Sequence, residues 1–555
     1  MSDSRLSCAA PAKTLVSWAL PLTLTMAAGC VISDESPPMN PPVTMPEACA
    51  AIEPGPRLLR LLSHKEYDAT IHDLFGIEAH WGESFVPHTV VGGFSNNADA
   101  LTVSTLLADQ MRRAAESIAA QVMTQPWKLF SCDPAQADPK CIRAFLTTFG
   151  PRVFRRPLTA DEIESYVALV QSIASTDGNA KGVETLLSTM LQSPHFLYRS
   201  ELGDETLPAL GGRVRLNAYE IASELSYLFW GTMPDAELFA AASADKLQSA
   251  EDIQAQVVRL LADPRSDALL DRFIEEWLNV DHLDTLSKDL VMYPRWTQKN
   301  RDDLRTELRM FVRHVVREGT ATLPELLDAR YSFVNKTLAQ YYGLPSKDIP
   351  LDQFVKVDVS GLDRAGLLTQ ASVMSVHGRP RTSSPVQRGK LIRERLQCQT
   401  LVEPPPGVVT QLPPPSLTLT TRQRYAAHST EPGCRGCHAQ LDPLGFAFEH
   451  FDGIGAYRSD ENGIPIDASG ELTGQDGPLA TFDGAGELAS ILAYDPDVHA
   501  CYARHWIRYG YGLRDDGPLQ CLSAKIAAEY GQSRLGVVDV LVLLTQTPHF
   551  VERSK

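Results

Sequence analysis

No stretch of this 555-residue chain gathers Lys and Arg into a block or interleaves them with aromatics, and acids outnumber bases 68 to 51, for a formal charge of −17. Nucleic acid, whose phosphates need a basic footprint, is therefore excluded as a partner. Long apolar runs are equally scarce. The one that stands out, Thr14 to Gly29 (TLVSWALPLTLTMAAG), carries a Pro and several hydroxyl residues and falls short of the ~20 apolar residues a spanning helix needs. A polytopic membrane protein is excluded with it. Strand-like alternation is rare, and no HExxH, phosphate-binding loop, Ser-His-Asp order or carboxylate pair can be assigned, which leaves hydrolase chemistry unsupported. What is present is ordinary globular material: 44% hydrophobic and 21% charged residues, enough to bury a large core. The length predicts roughly three to four domains, fewer if they share one helical core.

Arg5 and Lys13 precede the apolar run, which ends in Ala27-Ala28-Gly29-Cys30. Basic residues, a short apolar stretch and small residues form an export leader over 1–29, and the small residues before Cys30 resemble a bacterial lipobox, predicting lipid attachment at Cys30. Secretion without lipid is the alternative. Residues 30–53, rich in Pro and Ser and without hydrophobic periodicity, read as an extended tether. The expected location is the periplasm or outer membrane.

From Pro54 onward the pattern is helical, so the fold class is mainly α. Ser63-His64-Lys65-Glu66 and Thr159-Ala160-Asp161-Glu162 are capping-box signatures, the first opening a helix that runs to Gly76. Leu304, Leu308, Phe311, Val312, Val315 and Val316 form a buried stripe at helical spacing. The tract Pro404 to Pro415 (PPPGVVTQLPPP) is a connector that no helix crosses. Residues 421–429 read as helix, 451–485 as turns with one short hairpin, and the last seventy or so as helix again. An internal echo, QSPHFLYR from Gln192 and QTPHFVER from Gln546, reads as a shared way of ending a Leu-rich helix. Its sharper reading pairs His195 with His549.

The chemistry sits in Cys434-Arg435-Gly436-Cys437-His438, a CxxCH string that chance would place in on the order of five in a thousand chains of this composition. Two thiols one helical turn apart can each bond a vinyl group on one haem edge while the adjacent imidazole binds the iron, so the motif predicts one covalently attached haem c. Export agrees with that prediction, because haem is joined to such motifs outside the cytoplasmic membrane. Zinc would need four ligands, and no second CxxC is present; a thiol redox motif would want a βαβ setting; a plain structural disulfide is the third competitor. Asp442-Pro443-Leu444-Gly445 predicts a turn beyond His438, with a carbonyl of Asp442 or Pro443 accepting the imidazole Nδ1 hydrogen bond. Phe446, Phe448 and Phe451 are apolar enough to cover a porphyrin or to fill a core. Arg458 is a candidate partner for a propionate.

His438 is the first predicted iron ligand and His428 the favoured second, six residues before Cys434 across a turn; His377, His450 and Met374 are alternatives, as is an open position. Setting aside Cys8, Cys30, Cys434 and Cys437 leaves six cysteines for disulfides in an exported chain. Proximity pairs Cys132 with Cys141 and Cys501 with Cys521, leaving Cys49 with Cys398.

Several strings together resemble a known family. RLLSHKEYDATIHDLFG from Arg60 and GFSNNADALTVS from Gly93 come first, followed by CIRAFLTTFGPRVFRRPLTADEIESY from Cys141, with Phe-Arg-Arg-Pro-Leu at 154–158. LLSTMLQSPHFLYRSELG and LNAYEIASELSYLFWGTMPDAELF follow, then GLLTQASVMSVHGRPRTSSPVQRGK, the proline tract with the CxxCH segment, and CYARHWIRYGYGLR. In that order they resemble the exported planctomycete-type and myxobacterial proteins containing the domains of unknown function 1587, 1595, 1592, 1588 and 1585. The resemblance implies domains at 54–130, 131–175, 176–345, 360–460 and 485–555, with a cytochrome-c-like haem segment in the fourth and no established catalytic activity. Phe-Arg-Arg-Pro-Leu reads as packing and capping.

The leading functional expectation is a haem protein passing electrons at the cell envelope. Because a simple carrier needs only ~100 residues, the other domains are expected to bind a redox partner, an envelope protein or a surface polymer. A haem oxidase or peroxidase with an open iron position, and a non-catalytic envelope scaffold, are the alternatives.

Overall fold

The computed structural model describes residues 54–78, 80–204, 206, 212–401, 416–430, 434–474, 477–515, 518–533 and 536–555. The leader, Cys30, the tether with Cys49, and the proline tract lie outside the described residues. Twenty-three α-helices and only short strands occur among the described residues, and the strands form five two-stranded antiparallel ribbons. The fold is mainly α.

Helix boundaries follow local chemistry. Ser63 and Glu66 form a reciprocal capping box at the start of His64–Phe75, and Gly76 ends that helix in the left-handed conformation, where the missing Cβ removes the steric penalty. Thr159 and Glu162 do the same at the start of Ala160–Asp177. The stripe on Gln298–Arg317 is buried at Leu304, Leu308, Phe311, Val312 and Val315, whereas Val316 at its edge is only partly buried. Residues 451–485 hold two hairpins rather than one, pairing Asp460–Glu461 with Ile464–Pro465 and Ser469–Gly474 with Gly477–Asp483. The Gly-rich sequence marks the turns but does not reveal how many there are.

The sequence segments do not each fill a core of their own. One core, including Ile71, Ile118, Phe145, Leu187 and Phe196, gathers the chain from Leu61 to Met233. A second runs from Phe94 through Trp277, Leu308, Leu368 and Phe448 to Val551, so the segments expected as separate domains at 176–345, 360–460 and 485–555 share it. Phe273 stacks on Trp506 with ring centres 3.5 Å apart, joining two of those segments directly.

The internal echo is a packing device. Each copy ends a helix, makes one short helical turn and enters a strand: Tyr198–Glu201 pairs with Leu58–Leu61, and Glu552–Ser554 with Arg213–Arg215. The arginines at equivalent places, Arg199 and Arg553, reach one buried acidic pair. Arg199 binds Glu224 at 3.0 Å, Arg553 donates to Glu201 at 2.7 Å, and Arg60 also pairs with Glu201. Burial opposes ionisation of Glu201, but Arg553, Arg60 and Arg199 hold its carboxyl below the usual range. The two histidines stand in different surroundings: His195 is half exposed, 3.5 Å from Glu162, whereas His549 is buried edge-on against Tyr511. Phe-Arg-Arg-Pro-Leu caps and packs, as its residues suggest. Arg155 donates to the carbonyls of His195, Phe196 and Tyr198, and Arg156 pairs with Glu162 at 2.7 Å.

Cys132 and Cys141 are disulfide-bonded. Cys501 is bonded to Cys398, which corrects the pairings drawn from chain proximity. The reason is helix packing: Pro496–Tyr511 lies against the π-helical turn Leu391–Leu396 and sets the two Cα atoms 5.4 Å apart across 103 residues of sequence. Cys521 is also disulfide-bonded.

Glu307, fully buried, accepts hydrogen bonds from Ser332 and Tyr342, yet burial outweighs them and pushes its carboxyl up to about 7. A raised acid pKa favours the fold while the group is protonated, so this contribution is complete below the ordinary value of 4.5 and is lost as pH rises through about 7. The size is roughly 3 kcal/mol. Glu307→Gln, which stays neutral, should therefore gain stability relative to the wild type between about pH 5 and about pH 8 in urea titrations; parallel pH profiles for the two proteins would contradict this assignment.

Candidate functional site

Cys434 occupies the N-cap position of the helix Arg435–Phe446, so the CxxCH string forms its first turn. Cys434 and Cys437 are thiols, partly exposed and exposed respectively, lying about one helical turn apart. His438 follows directly. Four residues on, and on the same helix face, the buried Asp442 meets it: Nδ1 of His438 lies 2.9 Å from Oδ2 of Asp442. A carboxylate accepts, so Nδ1 donates, and Nε2 is the ring nitrogen that could bind a metal. The hydrogen bond to Asp442 raises the imidazole pKa, against the opposing effect of burial.

The orienting group is the Asp442 side chain and not a backbone carbonyl, because the expected turn does not form. The helix runs through Pro443. The hydrogen bond that Pro443 cannot make would have gone to Ala439, which is exposed, so water can serve that carbonyl instead. Continuous helix then places 438 and 442 one above the other.

The helix is clamped from several sides. It crosses Pro385–Lys390 so closely that a Cβ on Gly389 would collide with the Leu441 carbonyl, and one on Gly445 with that of Pro385. The fully buried Arg388 donates to the carbonyls of Phe448 and Phe451 at 2.7 Å and of Asp452 at 2.6 Å. Burial pushes this guanidinium down to about 10, with Glu449 3.7 Å away opposing the shift. Phe448 and Phe451 are wholly buried in the large core and Phe446 is nearly so, which makes them packing residues. Thr421–Thr430 packs across the site helix, with the Tyr425 ring 6.5 Å from that of His438 and Arg422 over Phe446 at 4.4 Å.

The other predicted residues divide clearly. Arg458 is held by Glu449 at 2.8 Å and Glu461 at 3.4 Å, and donates to the Glu449 carbonyl, so its charge is met within the protein. His377 is buried, with its Nε2 3.0 Å from the Leu278 carbonyl, and Met374 lies in the large core. His450 hydrogen-bonds through Nδ1 to the Arg458 carbonyl and stacks on Tyr457. His428 lies on Thr421–Thr430, and its side chain is outside the described residues. Sequence reasoning missed Arg388 and Tyr425. It also had the means to find the Asp442 carboxylate, since His438 and Asp442 already stand at i, i+4.

Two thiols one turn apart, with an imidazole whose far nitrogen is fixed by a buried carboxylate, fit the attachment edge and axial ligand of a haem. They fit zinc poorly: among the described residues no three metal-ligating side chains converge here, and the one group close enough elsewhere, Cys398, Cys501 and His505, has both sulfurs in a disulfide. No helix among the described residues is long and apolar enough to cross a membrane.

Five family models match the chain in order, each described as a protein of unknown function: DUF1587 over residues 60–124, DUF1595 over 141–201, DUF1592 over 216–344, DUF1588 over 364–461 and DUF1585 over 480–550. The fourth carries the label PSCyt3, a cytochrome-like name, and spans Cys434, Cys437 and His438. No curated protein and no solved structure matches the chain. The chain thus carries the domains DUF1587, DUF1595, DUF1592, DUF1588 and DUF1585 in that order.

Proposed function

We propose that this chain is an exported, c-type-cytochrome-like protein that passes electrons at the cell envelope, carrying one haem on Cys434 and Cys437 with His438 as axial ligand. The observation that supports it most is the hydrogen bond from His438 to the buried Asp442 directly beside two thiols at haem-edge spacing. Haem bound there supplies a one-electron iron couple. Asp442 orients the imidazole and increases its basicity, which favours the more positive oxidised state. Arg388 and the glycine contacts keep the helix from shifting. His428, on the helix that packs across the site, is proposed as the second axial ligand. Cys30 is proposed to carry the lipid that holds the exported chain at the membrane, and the remaining domains to engage a redox partner, an envelope protein or a surface polymer.

Cys434→Ala combined with Cys437→Ala, expressed alongside haem-attachment machinery, should lose the haem stain that the wild type shows on a denaturing gel; an unstained wild type would refute attachment. Asp442→Ala should raise the reduction potential by on the order of 40 mV, equivalent to about 1 kcal/mol for a one-electron couple, as measured by redox titration. An unchanged potential would deny Asp442 its role. His428→Ala should shift the absorption spectrum toward high spin and admit carbon monoxide, whereas His377→Ala should not. Carbon monoxide binding by the wild type itself would instead indicate an open iron position and favour an oxidase or peroxidase.

A further inference from the structure

Exposed apolar residues are scattered over the surface of the described residues, as on most proteins. At one place three are consecutive: Leu290, Val291 and Met292 are 61%, 91% and 51% exposed. They stand at the tip of a turn that is firmly built. Asp289 Oδ1 accepts hydrogen bonds from the backbone amides of Val291 at 2.9 Å and Met292 at 3.2 Å, and the Asp289 carbonyl accepts from Tyr293. Both flanks are anchored in the body. On one side buried Lys288 donates to the carbonyls of Ser375 and Arg379, and on the other buried Tyr293 donates through its hydroxyl to the Arg381 carbonyl. A backbone bond from Asp289 to the Pro380 carbonyl adds a further tie. The apolar tip is therefore held out by the structure.

The charge around it is also specific. In a chain of net charge −17, the segment against which this turn packs carries Arg379 and Arg381, and Arg295 follows three residues beyond Met292. The acid of the turn, Asp289, is matched by the exposed Arg381 at 3.1 Å. An apolar protrusion of three residues bordered by arginines has the chemistry of a lipid-contact loop: the side chains enter the boundary between headgroups and acyl chains, and the guanidiniums meet anionic headgroups. A protein partner would need a groove shaped to receive a convex tip, whereas a bilayer conforms to it. We infer that the Leu290-Val291-Met292 turn docks this protein on an anionic lipid surface. The inference rests on the turn and its charges alone and stands apart from the haem reading and from lipid attachment at Cys30.

The test reads the tip itself, in the purified full chain, so that any other attachment to membrane does not enter. Val291→Trp places an indole at the most exposed position, where no packing has to change. Mixed with vesicles of brominated phosphatidylglycerol, this variant should show quenching beyond that of the wild type's own tryptophans, and the added indole should become shielded from acrylamide. Vesicles of brominated phosphatidylcholine should quench it several-fold less, and Arg381→Gln in the same background should reduce the quenching by phosphatidylglycerol. An indole that stays open to acrylamide and unquenched with phosphatidylglycerol vesicles would overturn the inference, as would equal quenching by both lipids. Circular dichroism matching the wild type verifies that the variants are folded.

Discussion

The guanidinium of Arg388 is the constraint on which the geometry of the site depends. Burying a charge completely is costly unless it is paired and hydrogen-bonded, and here the guanidinium's terminal nitrogens donate to the backbone carbonyls of Phe448, Phe451 and Asp452, just beyond the end of the CxxCH helix, with Glu449 supplying opposite charge at 3.7 Å. Two of those carbonyls, of Phe448 and Asp452, also accept from the backbone amides of Phe451 and Gly455, so the guanidinium binds a segment already folded on itself. The guanidinium thus joins three carbonyls of one turn, and the segment that follows the site helix is held against Pro385–Lys390. The small residues at 389 and 445 let the two helices approach closely enough for this to happen. Neither feature touches the candidate site directly. Both determine where its helix lies.

Given that placement, a short stretch of sequence carries the candidate site. One uninterrupted helix carries two thiols, the imidazole and the carboxylate that orients it, so the site is assembled locally and then fastened to a large shared core. Such a design separates two tasks. Asp442, within one turn, hydrogen-bonds His438 and raises its pKa, while the surrounding residues supply the core that holds the helix. The echoing strands that deliver Arg199 and Arg553 to Glu224 and Glu201 show the same economy, since one local motif used twice closes a charge cluster shared by distant parts of the chain.

Much of this is legible in the sequence wherever the signal is local. The capping boxes at Ser63 and Thr159, the stripe on Gln298–Arg317 and the Cys132–Cys141 bond all depend on residues close in the chain, and the structure has each of them. What proximity could not reveal is long-range packing. Cys501 bonds Cys398 because two helices meet, the segments merge into two cores because their apolar faces need one another, and Arg388 reads as an ordinary basic residue until its carbonyl partners are in place. Pro443 misleads for a different reason: its usual role as a helix breaker is overridden where the lost hydrogen bond falls on a solvent-facing carbonyl.

The central claim is that Cys434 and Cys437 hold a haem whose axial imidazole is His438. Peptide mass spectrometry on protein isolated from cells equipped for haem attachment tests it most directly. The account predicts that the peptide spanning residues 434–438 carries the mass of one haem and that neither thiol can be alkylated. Recovery of that peptide without added mass, with both cysteines alkylated, would contradict it.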